Sequence, residues 1–235
     1  MSRVGAVLVH GLWHGAWAWA AVQDRLDDRG VAHAAVDLPM VDLAGDVAVT
    51  RDALEALGRP AVLVGHSYAG AVITDAGTHP LVRELIYLAA FQLDLGESVG
   101  RTLPDLDLPP TRLGEALQFA ADSDEVRLDP VLGAELLYSD APSEVRAAAM
   151  SRLRPVHRPV FRGVPAEIAW RTVPSTYVVC SADRTVNPDL ERAMARRATR
   201  VIELACGHSP AATQPDVVAD LIAAAVERIG QRGGA

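Results

Sequence analysis

A serine stands in the middle of the segment VLVGHSYAG, which covers residues 62–70. The apolar residues Ala61–Val64 before it predict a buried strand, and the apolar residues after it are spaced as on one face of a helix. A serine at a sharp turn between a strand and a helix is typical of a nucleophile elbow, where the hydroxyl is presented for attack on a carbonyl. Ser67 is therefore the candidate nucleophile.

Small residues flank this serine on both sides. Gly65 and Ala69 allow the strand and the helix to approach each other closely, which the strained turn requires. The usual pattern is G-x-S-x-G, so Ala69 departs from its last position, although alanine is small enough for the packing role. Because small residues after a strand can also form a turn without any chemistry, the motif needs support from the rest of the chain.

A serine hydroxyl is a poor nucleophile near neutral pH and needs a general base that is itself oriented by an acid. The apolar segments TYVVCS and RVIELA predict two later strands, and they are shortly followed by Asp183 and His208, respectively. The order serine, acid, histidine along the chain is typical of a parallel sheet that carries a triad on its loops. We expect Asp183 and His208 to complete a catalytic triad with Ser67.

Other acids and histidines compete for these roles. Asp94 follows the fourth predicted strand and is an alternative acid, whereas Asp189 is expected in the first turn of a helix, where a carboxylate favours the dipole. Of the seven histidines, His66 lies inside the elbow and is expected to point away from the reacting groups. His10 and His14 belong to the loop after the first strand. No motif surrounds the other three, which are His33, His79 and His157.

The loop HGLWHG, residues 10–15, follows the first predicted strand and is the candidate oxyanion loop. Gly11 permits the turn, and the backbone N–H of Leu12 would face the same point as the N–H of Tyr68 at the helix start. Unpaired donors at a helix start favour an anion. Each oxyanion-hole donor contributes roughly 3–4 kcal/mol of transition-state stabilisation. The alternative is a simple connection between a strand and a helix.

Short apolar strands alternate with helices through most of the chain. The predicted strands cover 4–9, 31–36, 61–64, 85–90, 175–181 and 201–204, and the predicted helices cover 16–29, 43–57, the stretch from the elbow to about 77–80, 190–197 and 215–229, with a frayed tail from 231. Strands that are apolar on both faces and alternate with helices predict an α/β fold with a mostly parallel sheet of about six strands, covered by helices on both faces. The carboxyl ends of its strands share one edge, where ligands bind in such sheets.

The alternation stops between residues 92 and 172. Helices are predicted there at 113–121, 131–138 and 143–153, between passages rich in proline. We therefore divide the chain into an α/β core, residues 1–91 and 173–235, and a helical insertion, residues 92–172. An insertion at this point is expected to form a lid over the carboxyl edge of the sheet, and the alternative is a packing subdomain without a role in binding.

The composition excludes several classes of function. The chain has 235 residues, of which 50% are hydrophobic, and a net charge of −8, which does not favour a nucleic acid or an anionic membrane as partner. Lysine is absent, and this excludes a Schiff-base lysine and a P-loop lysine. Two cysteines supply neither a disulfide framework nor a set of zinc ligands. We expect no cofactor and no metal.

The same evidence predicts a cytoplasmic protein. The first residues, MSRVGAVLVHG, lack the apolar region and cleavage site of a signal peptide. No apolar run approaches the ~20 residues that a membrane helix needs. Cys180 and Cys206 are expected to be free, buried thiols, which suits a reducing compartment. The expected partner is a small-molecule substrate, and the chain is either a monomer or a homodimer.

Five segments together resemble the α/β-hydrolase superfamily: VLVHGLWHGAWAW, VLVGHSYAG, LAAFQLDLGES, YVVCSADRTVNP and ACGHSP. They are most similar to the branch of plant methylesterases, hydroxynitrile lyases and their bacterial esterase relatives. The similarity covers essentially the whole chain, including the stretch ELLYSDAPSEVRAAAMSRLRP of the predicted lid. The resemblance implies an α/β-hydrolase fold with Ser67, Asp183 and His208 as the triad and with Leu12 and Tyr68 as the oxyanion hole.

Two positions separate this chain from the lyases of that branch. The lyases carry a threonine after the first histidine of the oxyanion loop and a lysine after the catalytic histidine, and Gly11 and Ser209 stand there in this chain. The resemblance therefore favours an esterase that cleaves a carboxylic ester of a small apolar or aromatic compound. A lyase or cyclase on the same scaffold and a module that only binds ligands are the alternatives.

A substrate pocket is the least specific part of these expectations. Aromatic side chains from the oxyanion loop and the predicted lid could line an apolar pocket, although an aromatic residue is also a common core filler. The candidate pocket residues are Gly11, Trp13, Phe119, Tyr138, Trp170 and Ser209.

Overall fold

The computed structural model describes residues 4–103 and 106–232. Its strands are β1 (Gly5–Val9), β2 (Ala32–Val36), β3 (Ala61–His66), β4 (Val82–Leu88), β5 (Leu117–Phe119), β6 (Glu125–Leu128), β7 (Val156–His157), β8 (Ser175–Cys180) and β9 (Arg200–Leu204). Six of them form one parallel sheet in the order β2-β1-β3-β4-β8-β9. This confirms the predicted parallel sheet of about six strands.

The α-helices lie before, between and after these strands. They are α1 (Ala20–Asp28), α2 (Leu43–Leu57), α3 (Ala69–Ala76), α4 (Leu113–Ala116), α5 (Pro130–Leu137), α6 (Ser143–Met150), α7 (Pro188–Ala195), α8 (Pro210–Thr213) and α9 (Pro215–Arg232), with 3₁₀ turns at Ala16–Trp19, Arg158–Phe161 and Ala169–Arg171. Helix α9 continues through residues 231 and 232, so the prediction of a frayed tail is wrong for these two residues. Residues 233–235 of that predicted tail lie outside the described part of the chain.

The strands are apolar on both faces because helices cover the sheet on both sides. Successive side chains of a strand point to opposite faces. Accordingly, Val7 and Leu63 belong to the core under α2 and α3. Leu8 and Val62, one position along, belong to a second core under α1 and α9. The inner strands β1 and β3 are buried along their whole length, which explains why they appear in the sequence as continuous apolar runs.

The segment between β4 and β8, residues 92–172, will be called the cap segment. It is not purely helical, and the prediction of a helix at 113–121 is wrong beyond Ala116. Residues Leu117–Phe119 form β5, which pairs antiparallel with β6, and β6 pairs antiparallel with β7. Val126 and Val156 are fully buried in the core under α2 and α3. The core covers the side of β6 and β7 on which these two valines lie, and this burial favours the pairing of such short strands.

The other two helices predicted in the cap segment are present as α5 and α6. Asp129 caps the start of α5 by accepting hydrogen bonds from the N–H groups of Val131 and Leu132. None of the helices in the described ranges is both long and apolar enough to cross a membrane.

Candidate active site

The turn after β3 holds Ser67 in a strained backbone conformation. Its φ is +56°, in the left-handed region that non-glycine residues rarely adopt. The main chain of Ser67 is fixed by three hydrogen bonds: its N–H donates to Leu88 O (3.2 Å), and its carbonyl accepts from the N–H groups of Gly70 (3.0 Å) and Phe91 (3.1 Å). Such strain persists only where the surroundings over-determine the backbone, and it concentrates at functional sites.

Close packing around this turn explains its small residues. A Cβ on Gly70 would lie 2.5 Å from the backbone N of Phe91, and a Cβ on Gly65 would lie 2.7 Å from Ala69 O. Any larger residue at either position would push α3 away from β3 or from the loop after β4. Ala69, which departs from the usual motif, is fully buried and fits this space.

A continuous chain of hydrogen bonds joins the candidate nucleophile, base and acid. Ser67 Oγ lies 3.0 Å from His208 Nε2, and His208 Nδ1 lies 2.5 Å from Asp183 Oδ2. The second oxygen of Asp183 accepts hydrogen bonds from the N–H groups of Thr185 (2.6 Å) and Val186 (3.0 Å). The carboxylate is therefore fixed on both oxygens. Ser67, Asp183 and His208 are all buried.

The parallel sheet brings these residues to one edge, because Asp183 follows β8, His208 follows β9 and Ser67 follows β3. The loops are also joined to one another. The N–H of Ala182 donates to Cys206 O (3.0 Å), and His66 Nε2 donates to the carbonyl of His208 (2.7 Å). His66 thus contacts the backbone of His208 and points away from Ser67 Oγ, in keeping with its expected orientation.

The two competing acids have other partners. Asp94 accepts a hydrogen bond from the Arg171 guanidinium at 2.5 Å. Asp189 lies in the first turn of α7 and pairs with Arg192 at 2.8 Å. The carboxylate at His208 Nδ1 is that of Asp183.

The loop after β1 lies directly against the serine. A Cβ on Gly11 would come within 2.9 Å of Ser67 Cβ and 3.3 Å of His66 Nδ1, so glycine lets this backbone reach the elbow. Trp13 has a φ of +65°, which marks a tight turn. Within the described residues, the backbone N–H groups of Leu12 and Tyr68 donate to no protein acceptor. Leu12 and Tyr68 therefore stay the candidate donors of the predicted oxyanion hole.

The side chain of Tyr68 points into the core. Its hydroxyl donates a 2.6 Å hydrogen bond to Asp46 Oδ2, and Asp46 Oδ1 accepts from the N–H of Met40 (2.8 Å). Asp46 is fully buried in α2, and this burial raises its pKa to about 6. This hydrogen bond fixes Tyr68, whose backbone N–H is a candidate oxyanion donor. Because the Tyr68 ring is buried in the core, it does not line an open pocket.

Three further histidines near the site are neutral. Burial lowers the pKa of His10 to about 4 and that of His14 to about 3, and it holds the pKa of His66 well below its ordinary value. His10 Nε2 accepts a hydrogen bond from the N–H of Leu38, so its proton lies on Nδ1, which donates to Gly11 O at 2.8 Å. The oxyanion loop is therefore shaped by neutral imidazoles that add no charge.

The candidate pocket residues divide into two groups. Trp13 and Tyr138 are buried beside the oxyanion loop: Trp13 Nε1 donates to Val126 O (3.1 Å), and the Tyr138 hydroxyl lies 2.7 Å from His14 Nε2. Ser209 is buried next to His208, and its side chain interacts with the Tyr138 hydroxyl.

The other two predicted pocket residues contact groups elsewhere. Phe119 on β5 is 56% exposed, with the Arg158 guanidinium 5.3 Å from its ring centroid. Trp170 is half-buried, and its Nε1 donates to Leu93 O at 2.7 Å. The structure does not gather these two aromatic residues with Trp13 and Tyr138.

Two acids near the site were not singled out in the sequence. Asp46 could have been found, because α2 turns Leu43, Asp46 and Val47 to its buried side, and a carboxylate on an apolar face needs a partner. Asp140 of the cap segment accepts a 2.8 Å hydrogen bond from the N–H of Gly207, next to His208. Nothing in its surrounding sequence points to that partner. Cys180 and Cys206 are buried free thiols, and no cluster suited to a metal ion occurs within residues 4–103 and 106–232.

A six-stranded parallel sheet, a strained serine after its third strand, and an acid and a histidine after its last two strands define the α/β-hydrolase architecture. The chain belongs to the alpha/beta hydrolase family, whose sequence model matches residues 6–221.

Its relatives include enzymes from bacteria and plants. It is 31% identical over 183 residues to a carbendazim-hydrolysing esterase of Nocardioides sp., covering 72% of this chain and 71% of that one. It is 24% identical over 255 residues to methylesterase 17 of Arabidopsis thaliana, covering 95% and 92%. Among solved structures, a pyrethroid hydrolase of Sphingobium faniae superimposes with a TM-score of 0.82 at 23% identity, covering 95% and 98%. The resemblance to the methylesterase branch is confirmed.

Proposed function

We propose that this protein is a serine esterase that cleaves a carboxylic ester of a small apolar or aromatic compound through an acyl-enzyme. The observation that carries the proposal is the hydrogen-bonded chain from Ser67 Oγ through His208 to Asp183. The esterases among its relatives support the same reaction class.

Each group has a distinct role in this reaction. Ser67 Oγ attacks the ester carbonyl while His208 Nε2 takes its proton, and Asp183 stabilises the imidazolium that forms. The N–H groups of Leu12 and Tyr68 bind the oxyanion of the tetrahedral intermediate. His208 then passes the proton to the leaving alcohol, and a water molecule activated by the same imidazole hydrolyses the acyl-enzyme.

The cap segment acts as a lid in this proposal. It contacts the oxyanion loop through the bond from Trp13 to Val126, and Arg154 donates to the carbonyls of His14 (3.0 Å) and Leu38 (2.6 Å). These contacts support a position of the cap segment over the edge of the sheet where Ser67 lies. Trp13 and Tyr138, which are buried beside the oxyanion loop, support the proposal of an apolar or aromatic substrate.

The test is a serine replacement with p-nitrophenyl butyrate as substrate. Ser67→Ala should lower kcat by at least about 10³-fold while leaving the melting temperature unchanged, since only the nucleophile is lost. Ser181→Ala is the matched control, because Ser181 lies on the acid loop and its hydroxyl donates to the backbone carbonyl of Leu204, outside the triad. A fluorophosphonate probe should label Ser67 in the unmodified protein. If Ser67→Ala retains more than about a tenth of kcat, the nucleophile is another residue.

A further inference from the structure

The consecutive residues Tyr138, Ser139 and Asp140 of the cap segment contact both loops of the proposed active site. The Tyr138 hydroxyl lies 2.7 Å from Nε2 of His14, whose Nδ1 lies 2.7 Å from the carbonyl of Leu12. Asp140 Oδ2 accepts a hydrogen bond from the N–H of Gly207 at 2.8 Å. One turn of the cap segment therefore joins the oxyanion loop to the histidine loop.

The backbone of His208 is held from two sides. On one side, the His208 carbonyl accepts a hydrogen bond from His66 Nε2 in the core. On the other side, the N–H of the preceding Gly207 donates to Asp140 in the cap segment. A hydrogen bond from a backbone N–H to a carboxylate is shorter and stronger than one to a neutral acceptor. The ring is then directed at Ser67 by a main chain whose position depends on both the core and the cap segment.

Gly207 is the residue that allows this contact. A Cβ there would lie 2.5 Å from Asp140 Oδ1 and 2.7 Å from Ser139 Oγ. Both atoms are the ends of short side chains, so a Cβ at this position would displace the Asp140 carboxylate rather than the backbone of the core.

We propose that Asp140 is a positioning residue for the esterase reaction: its carboxylate fixes the Gly207 peptide and thereby the approach of His208 Nε2 to Ser67 Oγ. This inference rests on the proposed function. Asp140 touches none of the reacting atoms, and it acts through the backbone of its neighbour. The consequence is that the seating of the cap segment and the geometry of the proton transfer are coupled.

The exposure of Asp140 separates this role from a merely structural one. Asp140 is an exposed residue, and hydrogen bonds of exposed side chains contribute little to global stability because water replaces them. Its loss should therefore leave the melting temperature nearly unchanged. A misplacement of a general base by about 1 Å, in contrast, can lower the rate by up to about 10²-fold.

The experiment compares Asp140→Ala, Asp140→Asn and Asp129→Ala with p-nitrophenyl butyrate. We expect Asp140→Ala to lower kcat by about tenfold with KM nearly unchanged. Asp140→Asn should recover most of kcat, since its amide oxygen still accepts from Gly207. Asp129→Ala is the matched control, because Asp129 likewise accepts hydrogen bonds from backbone N–H groups, but from those at the start of α5 and not from the loop that carries His208. A kcat of Asp140→Ala equal to that of the unmodified protein would overturn the proposal.

Gly207→Ala provides an independent route to the same displacement. It should lower kcat as Asp140→Ala does, and the double variant should be no slower than either single variant, because both remove one interaction. Multiplicative losses would refute the shared contact.

A readout without turnover distinguishes this inference from the proposed function. The low-field proton resonance of the His208 Nδ1–H bond to Asp183 should shift in Asp140→Ala and stay in place in Asp129→Ala. If turnover does not depend on Ser67, the esterase proposal fails and the resonance still tests the positioning role. If turnover depends on Ser67 but the resonance and kcat of Asp140→Ala are unchanged, the positioning role alone is wrong.

Discussion

Replacing Asp183 with asparagine changes one charge and one hydrogen-bond donor at the centre of the proposed site. In the unmodified protein, Oδ1 accepts two backbone N–H groups, from Thr185 and Val186, and Oδ2 faces His208 Nδ1. The amide oxygen of asparagine has to keep the two N–H donors, because an NH₂ group in that position would meet them donor to donor. The NH₂ group therefore faces His208 Nδ1.

This orientation selects the wrong tautomer of the imidazole. His208 Nδ1 has to accept a hydrogen bond from the NH₂ group, so the ring proton moves to Nε2. Nε2 then points a hydrogen at Ser67 Oγ and cannot take its proton. The expected loss in kcat is roughly 10⁴-fold, as for a triad that is locked in the wrong tautomer. At about 1.36 kcal/mol for each factor of ten, this corresponds to roughly 5 kcal/mol of transition-state stabilisation.

The assay is steady-state hydrolysis of p-nitrophenyl butyrate, together with thermal unfolding to show that Asp183→Asn keeps its fold. Asp94→Asn is the matched control, because Asp94 is the alternative acid and pairs with Arg171 instead of a histidine. It should change kcat by less than about threefold, as expected for an exposed ion pair away from the reaction. A kcat of Asp183→Asn within about tenfold of the unmodified protein, or a larger loss in Asp94→Asn, would refute the tautomer argument.

Two further outcomes follow from the site. No cyanide should be released from mandelonitrile under conditions where p-nitrophenyl butyrate is cleaved, because Gly11 and Ser209 replace the threonine and lysine of the related lyases. Cyanide release that exceeds the enzyme-free rate and disappears in Ser67→Ala would contradict this prediction. The free energy of unfolding should fall from pH 7.5 to pH 5, because His10, His14 and His66 are held neutral in the fold and take up protons below their ordinary pKa of about 6.5 only in the unfolded chain. Burial raises the pKa of Asp46 to about 6 and that of Glu191 well above its ordinary value, and these two acids offset part of the loss because they bind protons more readily in the fold. A urea midpoint that is equal or higher at pH 5 would contradict the prediction.

The core could be predicted because its physical pattern is local. A strand covered on both faces shows as a continuous apolar run, and Ala61–Val64 predicts β3 within two residues of its end at His66. The positions of Asp183 and His208 follow from the same rule, since each comes shortly after a predicted strand. The structure places both in one hydrogen-bonded chain with Ser67, while their catalytic roles remain a proposal.

The cap segment could not be predicted in this way. Strand β5 is three residues long and follows a single helical turn, so no periodicity distinguishes it from the end of a helix. Its pairing depends on β6 and on the two-residue strand β7, which lies in a passage rich in proline. Phe119 is exposed at the end of β5, an edge strand of this small sheet, and no local pattern reveals that.

The contacts that position the site were missed for a related reason. The Asp46 carboxylate in α2 accepts a hydrogen bond from the Tyr68 hydroxyl just before α3. The Asp140 carboxylate in the cap segment accepts one from the N–H of Gly207. Asp46 lies on the apolar face of α2 and so needs a partner, whereas Asp140 stands in a sequence that could equally belong to an exposed surface. In both cases only the fold identifies the partner.

The Ser67–His208 hydrogen bond joins residues that are 141 positions apart, and it has a consequence for how the protein reaches its native state. Strands β4 and β8 are neighbours in the sheet, yet the whole cap segment separates them along the chain. Closing such long loops is slow, since chain entropy is lost before the pairing compensates for it. The part of the sheet formed by its first four strands, β1–β4, carries Ser67 but neither Asp183 nor His208, so a refolding chain can become compact well before it regains activity. Turnover should recover only with the final kinetic phase, when β8 and β9 dock beside β4.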